Sequence, residues 1–300
     1  MRLFIVVNPN ASRAADALPH IEAWFAARTG TRVAICRKKD ELQALLEKEG
    51  AGADRIVIGG GDGTLSKALP ALLKLNKPVA VLPLGTANDF ARTVGLSTDP
   101  AEAAKIALEG RQHRIDVGLV NGEPYLNVAS VGAASQVIKA QSKQMKRRWR
   151  VLAYALSLLR VARDLQPFFV DLEIDDGLRW TAPVYQIGIA NGRHHGGGLT
   201  VAEDAAIDDG KLHIYVVHPG TFWQLFACVT HLRFGLMRPQ LLSRHKAERV
   251  VLRTRRARPV DADGRHVTET PAEFSVLRAG LKVLVPQVLP ADHRGLSRLA

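Results

Sequence analysis

The chain has 300 residues, of which 47% are hydrophobic and 23% are charged; these proportions are typical of a soluble globular protein and exclude intrinsic disorder. A formal net charge of +12 favours a polyanionic ligand such as a nucleotide or an anionic membrane surface. Aromatic residues make up only 6% of the chain and are not interleaved with basic ones, so nucleic acid is not the expected partner. Two cysteines are too few for a disulfide framework, which predicts a cytoplasmic protein.

The first 115 residues alternate between short β-rich runs and helical patterns. The predicted strands are 3–7, 32–35, 55–58 and 79–82, and the predicted helices are 15–27, 39–49, 65–75 and 100–109. Such an alternation indicates βαβ units, whose strands pair in parallel. We therefore predict an α/β domain with a parallel sheet over residues 1–120.

Beyond residue 115 the pattern consists mostly of strands, with helical stretches near 135–165 and 219–237. Turn signals such as Asn121-Gly122 separate several of the strands. The predicted strands are 115–120, 124–129, 170–174, 181–190, 212–217, 249–254, 273–277 and 281–285. We predict a second domain over residues 121–300, an antiparallel β-sandwich or barrel whose last residues can pack back on the first domain.

The segment Gly59-Gly60-Gly61-Asp62-Gly63-Thr64 lies between a predicted strand and a predicted helix. It matches neither G-x-x-x-x-G-K-[ST] nor G-x-G-x-x-G, because Thr64 stands where the last glycine of the second pattern belongs. Glycines allow backbone N–H groups to converge on phosphate oxygens, and the N-terminus of the following helix favours an anion. A carboxylate beside phosphates needs a cation or a proton, so Asp62 indicates Mg²⁺ or base chemistry.

A second loop of the same design, PLGTANDFAR at residues 83–92, follows the next predicted strand. Neighbouring strand ends of a parallel sheet place both loops at one edge, where ligands bind. Together the two loops resemble the diacylglycerol kinase catalytic-domain family, the soluble lipid kinases that include bacterial diacylglycerol kinases and the sphingosine and ceramide kinases. The resemblance implies a nucleotide-binding α/β domain, a β-sandwich-like second domain, and transfer of the ATP γ-phosphoryl group to a lipid hydroxyl.

This resemblance covers nearly the whole chain. It includes Asn8-Pro9, Asp116-Val117-Gly118, Asp208-Asp209-Gly210 and Asp263-Gly264, besides the two glycine-containing loops. For the aspartates of these motifs the resemblance implies metal-binding or catalytic roles. Asp62, Asp89 and Asp116 would surround Mg²⁺, and Asp209 would belong to a structural Mg²⁺ site. Asp263 would be the base for the acceptor hydroxyl.

The resemblance also implies a phosphate-binding set for ATP. Asp62 would belong to this set as well as being catalytic. The implied nucleotide-binding residues are Gly59, Gly60, Gly61, Asp62, Gly63, Thr64, Gly85, Thr86, Asn88 and Asp89.

Three positions depart from the motifs of the family. Ser66 and Lys67 stand where the family usually has the last two residues of GTxNE, and Arg265 stands where it has the glutamate of DGE. Asp263 alone could then serve as base, Arg265 could bind an acidic headgroup or a phosphate, or the protein could be a catalytically impaired lipid- or nucleotide-binding pseudokinase. Lys67, in the first turn of the predicted helix, indicates a nearby anion. NAD kinase shares GGDGT and is a further alternative, which the PLGTANDFAR loop argues against.

Residues 139–163 combine basic side chains with Trp149 and leucines at helical spacing. A basic amphipathic helix is typical of the membrane interface. The basic cluster comprises Lys139, Lys143, Lys146, Arg147, Arg148 and Arg150, and the segment ends near Arg163. We expect it to dock the protein on the anionic inner face of the membrane, where a diacylglycerol-like acceptor lies; the alternative is a helix that packs in the core and has a solvated basic end. The sequence gives no indication of the oligomeric state.

Overall fold

A computed structural model describes residues 1–25, 30–38, 41–132, 166–175, 177–195, 199–200, 205–221, 224, 241–288 and 296. The helices are α1 (Ala14–Phe25), α2 (Leu42–Glu49), α3 (Asp62–Leu75), α4 (Asp89–Thr93) and α5 (Pro100–Glu109). The strands are β1 (Leu3–Val7), β2 (Thr31–Ile35), β3 (Arg55–Gly60), β4 (Val79–Pro83), β5 (Arg111–Val120), β6 (Glu123–Tyr125), β7 (Val128–Gly132), β8 (Phe168–Ile174), β9 (Leu178–Val184), β10 (Gln186–Ala190), β11 (His194–His195), β12 (Leu199–Thr200), β13 (Leu212–Val217), β14 (Leu242–Ala247), β15 (Arg249–Thr254), β16 (Pro259–Ala262), β17 (Arg265–Glu269) and β18 (Ala272–Val285).

The first four strands form a parallel sheet in the order β2-β1-β3-β4, which confirms the predicted α/β class. The residues of β1, β3 and β4 are mostly apolar on both faces, as expected of parallel strands covered by helices on both sides, whereas the edge strand β2 is partly exposed. Phe4 and Ile56 belong to the core that includes α2 and α3, whereas Ile5 and Val57 belong to the core that includes α1 and α5. This doubly covered sheet holds its strand ends, and the loops that follow them, in fixed positions.

The second half of the chain contains an antiparallel sheet in the order β14-β13-β10-β7-β16-β17, which confirms the predicted antiparallel architecture. It packs against β8, β15 and part of β18, which continue the first sheet beyond β4. Leu252 and Phe274 on one side and Ile187 and Ile214 on the other share one buried core. The C-terminal half is therefore a sandwich, one layer of which is joined edge to edge with the parallel sheet.

Several predicted strands differ from the observed ones. The predicted strands 124–129 and 181–190 are each divided in two, and the halves enter different sheets: β6 and β9 the first, β7 and β10 the second. At the second division the N–H of Tyr185 donates to the carbonyl of Val217 as the chain crosses between layers. Conversely, the predicted strands 273–277 and 281–285 form one strand, β18, whose register shifts between Leu277 and Leu281.

Some predictions fall outside the described residues. These are the helical stretch near 135–165, the basic segment at 139–163, and most of the stretch near 219–237. Within the part of the chain that is described, no helix has both the length and the apolar composition required to span a membrane.

Candidate active site

The glycine loop connects β3 to α3 at the carboxyl edge of the parallel sheet. Gly61 lies against Gly85 of the second loop: a Cβ at Gly61 would lie 2.9 Å from the Cα of Gly85, and a Cβ at Gly85 would lie 2.5 Å from the Cα of Gly61. Contacts this short do not occur between a real Cβ and backbone. Glycine is therefore required at both positions because the two loops touch backbone to backbone.

The other loop glycines meet different surroundings. A Cβ at Gly60 would lie 2.6 Å from the Cβ of Thr64, so this glycine makes room for the first turn of α3. At Gly63, by contrast, a Cβ would have no described heavy atom within 4 Å. Gly63 lines an open cleft, and it leaves the backbone of the helix N-terminus accessible to a ligand.

Side chains at three strand ends bind one another across this edge. The amide of Asn8, after β1, donates to Thr64 Oγ1 at 2.8 Å, and Thr86 Oγ1 donates to Ser12 Oγ at 3.2 Å. The hydroxyl of Ser12 donates to the carbonyl of Leu84 at 3.2 Å. No role is predicted for Asn8 or Ser12 from the sequence. Their position just after β1, at the edge where ligands bind in such sheets, was the available signal.

Asn88 closes the second loop. Its backbone has a φ of 51°, in the left-handed region that asparagine tolerates. Its Oδ1 accepts from the N–H of Gly85 at 2.9 Å, and its Nδ2 donates to the carbonyl of Gly85 at 2.8 Å. Asn88 therefore fixes the shape of the loop that presents Gly85 and Thr86.

Asp62, the first residue of α3, connects the two loops. Its Oδ1 accepts from the N–H of Phe90 in α4 at 2.9 Å. Burial raises the pKa of Asp62, the hydrogen bond from Phe90 opposes that rise, and the charge of neighbouring Asp89 adds to it. A carboxylate in these surroundings gains stability from a cation or from a proton.

Asp263 reaches the same cleft from the second domain. Asp263 and Gly264 have φ values of 47° and 77° and form the two-residue turn between β16 and β17. One carboxylate oxygen accepts from Leu126 N at 2.8 Å and the other from Asn127 N at 2.9 Å. Burial raises the pKa of Asp263, and the charge of Asp62 adds to the rise. Asp263 thus anchors the β16–β17 turn to the start of β7, and its role as base stays a prediction.

We call Asp62, Asp89 and Asp263 the cleft carboxylates because the charge of Asp62, in the glycine loop, interacts with the charges of the other two. The cleft has a volume of about 510 Å³ and is lined by the glycine loop on one side and by the β16–β17 turn on the other. Lys67 and Arg265 also line it. The predicted base Asp263 therefore lines one cleft with five of the ten predicted nucleotide-binding residues, which are Gly61, Gly63, Thr64, Gly85 and Thr86.

Asp116 belongs to a different group, which we call the turn carboxylates: Asp116, Asp208 and Asp209. Asp116 accepts from Gly210 N at 2.6 Å and from Ala279 N at 2.7 Å. Burial raises its pKa, these two hydrogen bonds oppose the rise, and the charges of Asp208 and Asp209 add to it.

Two histidines contact the turn carboxylates. His113 Nε2 lies 2.8 Å from Asp208 Oδ2, and His213 Nε2 lies 2.8 Å from Asp209 Oδ2. Among the described residues no group of three metal-binding side chains is suitably placed for an ion. The predicted metal roles of Asp116 and Asp209 stay predictions, and in this structure protein donors occupy their oxygens.

Lys67 differs from its predicted location in the helix. α3 begins at Asp62 instead of residue 65, because the glycine loop itself forms its first turn. Lys67 is consequently in the second turn, where the helix dipole acts weakly. The dipole argument for an anion beside Lys67 is thus weakened, and its place in the cleft wall is the better indication.

Comparison with known proteins identifies both halves of the chain. Residues 2–120 match the family model for the diacylglycerol kinase catalytic domain, and residues 127–285 match that for the YegS C-terminal NAD kinase beta sandwich-like domain. A protein of Pseudomonas fluorescens (strain Pf0-1) named "Probable lipid kinase YegS-like" is 32% identical over 260 residues, 85% of this chain and 84% of the relative. One of the same name from strain Pf-5 is 32% identical over 273 residues, 90% of each chain.

Solved structures show the same fold. A crystal structure described as a diacylglycerol kinase from Bacillus anthracis str. Sterne superposes with a TM-score of 0.78 at 22% identity, covering 96% of this chain and 98% of the other. The fold, both family models and the relatives at 32% identity agree with the geometry of the two loops. The chain belongs to the diacylglycerol kinase catalytic-domain family, among the lipid kinases named YegS-like.

Proposed function

We propose that the protein transfers the γ-phosphoryl group of ATP, with Mg²⁺, to the hydroxyl of a diacylglycerol-like lipid. The observation that carries the proposal is the cleft that the open backbone at Gly63 lines together with the turn of Asp263, whose charge interacts with that of Asp62. Phosphoryl transfer depends mainly on positioning and on charge stabilisation, which a rigid glycine loop at a helix N-terminus supplies. Family membership supports the same reaction class.

The cleft carboxylates fit a magnesium ion shared with a nucleotide. Mg²⁺ in kinases is held by one or two carboxylates together with substrate phosphates, so a full protein cage is not needed. Asp89, whose charge interacts with that of Asp62, supplies one such carboxylate and leaves Asp62 available as a proton acceptor. When bound, the ion would neutralise charge on the phosphates. The turn carboxylates fit less well, because hydrogen bonds from Gly210, Ala279 and Lys211 already engage them.

In the proposed reaction the lipid hydroxyl oxygen forms a bond to the γ-phosphorus while the bond from that phosphorus to the β–γ bridging oxygen breaks. The hydroxyl proton passes to a carboxylate, and ADP leaves with the bridging oxygen. Asp62 suits proton transfer because its raised pKa brings it nearer to neutral pH. Asp263 is the less suitable acceptor, since backbone N–H groups already bind both of its oxygens.

The test is transfer of labelled γ-phosphate from ATP and Mg²⁺ to lipids in mixed micelles. The panel contains diacylglycerol, ceramide, a sphingoid base and phosphatidylglycerol, with NAD as a soluble acceptor. We expect labelled product with diacylglycerol and none in EDTA. Arg255→Gln, which removes an exposed charge of the second domain outside the cleft, serves as a control variant and should transfer as much labelled phosphate as wild type.

Other outcomes would contradict the proposal. Labelled NAD would indicate an NAD kinase, and nucleotide binding without product on any acceptor would indicate a pseudokinase.

Membrane docking through residues 139–163 is tested separately by sedimentation with vesicles. We expect binding to vesicles that contain anionic lipid, and no binding to neutral vesicles, because each basic residue near an anionic surface contributes about 1 kcal/mol.

A further inference from the structure

Two cations from different domains line the cleft beside the glycine loop. Lys67 lies in the second turn of α3, and Arg265 is the first residue of β17. Both are partly buried, and both are among the residues that form the walls of the 510 Å³ cleft together with Gly63 and Thr64. The family motifs place acidic residues at these two positions, so the charge of this wall is reversed in the present chain.

Arg265 is held in place by a contact between the domains. Its Nε donates to Ser66 Oγ at 3.2 Å, across 199 positions of sequence. Ser66 is 1% exposed and sits directly before Lys67 on α3. Because the guanidinium is bound through Nε, its terminal nitrogens carry the remaining donors, in the planar arrangement that suits phosphate oxygens.

A phosphate that enters the cleft requires positive charge nearby to offset the negative charge of the cleft carboxylates. The cleft carboxylates would repel a phosphate, and burial and mutual charge already raise the pKa values of Asp62 and Asp263. Hydrogen bonds between a cation and a phosphate are shorter and stronger than neutral ones. Lys67 and Arg265 are cations that line the same cleft as Gly61, Gly63 and Thr64 of the glycine loop.

We propose that Lys67 and Arg265 form a phosphate clamp, in which a cation from each domain binds the terminal phosphate of the nucleotide and Ser66 positions the guanidinium. The inference rests on the proposed function only in taking the nucleotide as the ligand. The glycine loop and both cations line one continuous cleft, which favours a nucleotide phosphate over the phosphate of a lipid.

The test is equilibrium binding of ATP, ADP and AMP to the full chain by calorimetry. Removing the charge in Arg265→Gln should weaken ATP binding about tenfold or more, because one charge-assisted hydrogen bond corresponds to that factor. Lys67→Gln should have an effect of the same order. AMP, which lacks the terminal phosphates, should bind all variants about equally. Arg255→Gln is the control of equal charge change and should bind like wild type.

Two further variants separate positioning from binding. Arg265→Lys keeps the charge without the planar fork and should recover part of the lost ATP affinity. Ser66→Ala leaves both cations and should weaken ATP binding by about threefold, because the guanidinium loses one hydrogen bond that fixes its orientation but keeps its charge. If Arg265→Gln folds poorly, Lys67→Gln and Ser66→Ala still carry the test.

Three results would overturn the clamp. These are unchanged ATP affinity in both charge variants, an equal loss for ATP and AMP, or a loss confined to vesicles of phosphatidic acid with ATP binding intact. The last result would assign the cations to a lipid phosphate. Because binding is measured without turnover, an inactive protein that still loses ATP affinity in Arg265→Gln would refute the kinase proposal while supporting the clamp.

Discussion

The cleft carboxylates and the turn carboxylates are two acidic groups with different surroundings. Burial raises the pKa of Asp62 in the first and of Asp116 in the second, so that property alone does not distinguish them. Both carboxylates also accept from backbone N–H groups, Asp62 from Phe90 and Asp116 from Gly210 and Ala279. What differs is the position relative to the cleft: Asp62 lies between Gly61 and Gly63, which line it, whereas the turn carboxylates are not among its lining residues. A raised pKa therefore indicates a functional carboxylate only where that carboxylate lies beside a cavity that can receive a ligand.

The largest expected effect is on phosphoryl transfer when the charge of a cleft carboxylate is removed. Asp62→Asn keeps an oxygen for the N–H of Phe90 but removes the charge and the proton acceptor. We expect transfer of labelled phosphate to fall by roughly 10²- to 10⁴-fold, the usual contribution of a positioned acid or base. Asp209→Asn, the matched change among the turn carboxylates, should retain activity within about threefold of wild type. Equal losses in both variants would refute the distinction.

Asp263 and Asp209 can be compared by stability. Asp263→Ala leaves the N–H groups of Leu126 and Asn127 without their acceptor, at about 1–3 kcal/mol for each buried donor. Urea unfolding should therefore show a loss of several kcal/mol. Asp209→Ala should lose less, since the Asp209 side chain is 24% exposed and water can replace its bonds. Asp263→Asn should lie between wild type and Asp263→Ala. A stable, inactive Asp263→Ala would instead favour Asp263 as the base.

The melting temperatures of the asparagine variants at pH 7 separate Asp62 from Asp116. A raised pKa in the folded state stabilises folding below the unfolded pKa of about 4, and this contribution is lost as pH rises through the folded pKa. At pH 7 the charged carboxylate of Asp62 therefore destabilises the folded state. Asp62→Asn, which removes this charge, should melt at a higher temperature than wild type. The difference should vanish below about pH 4.

Asp116→Asn should behave in the opposite way at neutral pH. An asparagine can accept only through its oxygen, so its NH₂ group would face one of the N–H donors of Gly210 and Ala279. We expect a lower melting temperature than wild type at pH 7, measured by calorimetry beside Asp62→Asn. Stabilisation by both substitutions would show that desolvation alone governs the two sites.

The smallest expected effect belongs to the histidines of the second group. His213→Gln removes the ring that contacts Asp209 but keeps a side-chain donor. We expect a loss of about 1 kcal/mol in urea unfolding, the typical net contribution of one hydrogen bond, with phosphate transfer unchanged. A large loss of transfer at full stability would give these residues a part in the reaction.

Much of the parallel half could be predicted from the sequence because its signals are local. Strand and helix patterns alternate in short units, and glycines mark the ends of β3 and β4. The sandwich was harder, since the turn at Tyr185 that moves the chain from one sheet to the other has no local signature. The bulge between Leu277 and Leu281 was likewise mistaken for a loop between two strands.

In the candidate site, too, the features that depend on contacts between distant residues could not be predicted from the sequence. Motif positions identified the loops, but the contact between Arg265 and Ser66 joins residues that no spacing rule connects. The closure of the second loop by Asn88 and the anchoring role of Asp263 likewise depend on backbone partners that only the fold brings near. Residue type indicated chemistry at these positions, and tertiary structure determined which atoms are already engaged.

The backbone contact between Gly61 and Gly85 has a consequence for how this site can vary. A genetic suppressor usually restores a crowded contact by shrinking the partner residue. Here the partner is already glycine, the smallest residue, so no second substitution at either position can compensate for a side chain at the other. Neither loop can therefore change at this contact independently of the other. When the residues of one loop are randomised in a library, every active clone should carry glycine at the shared contact.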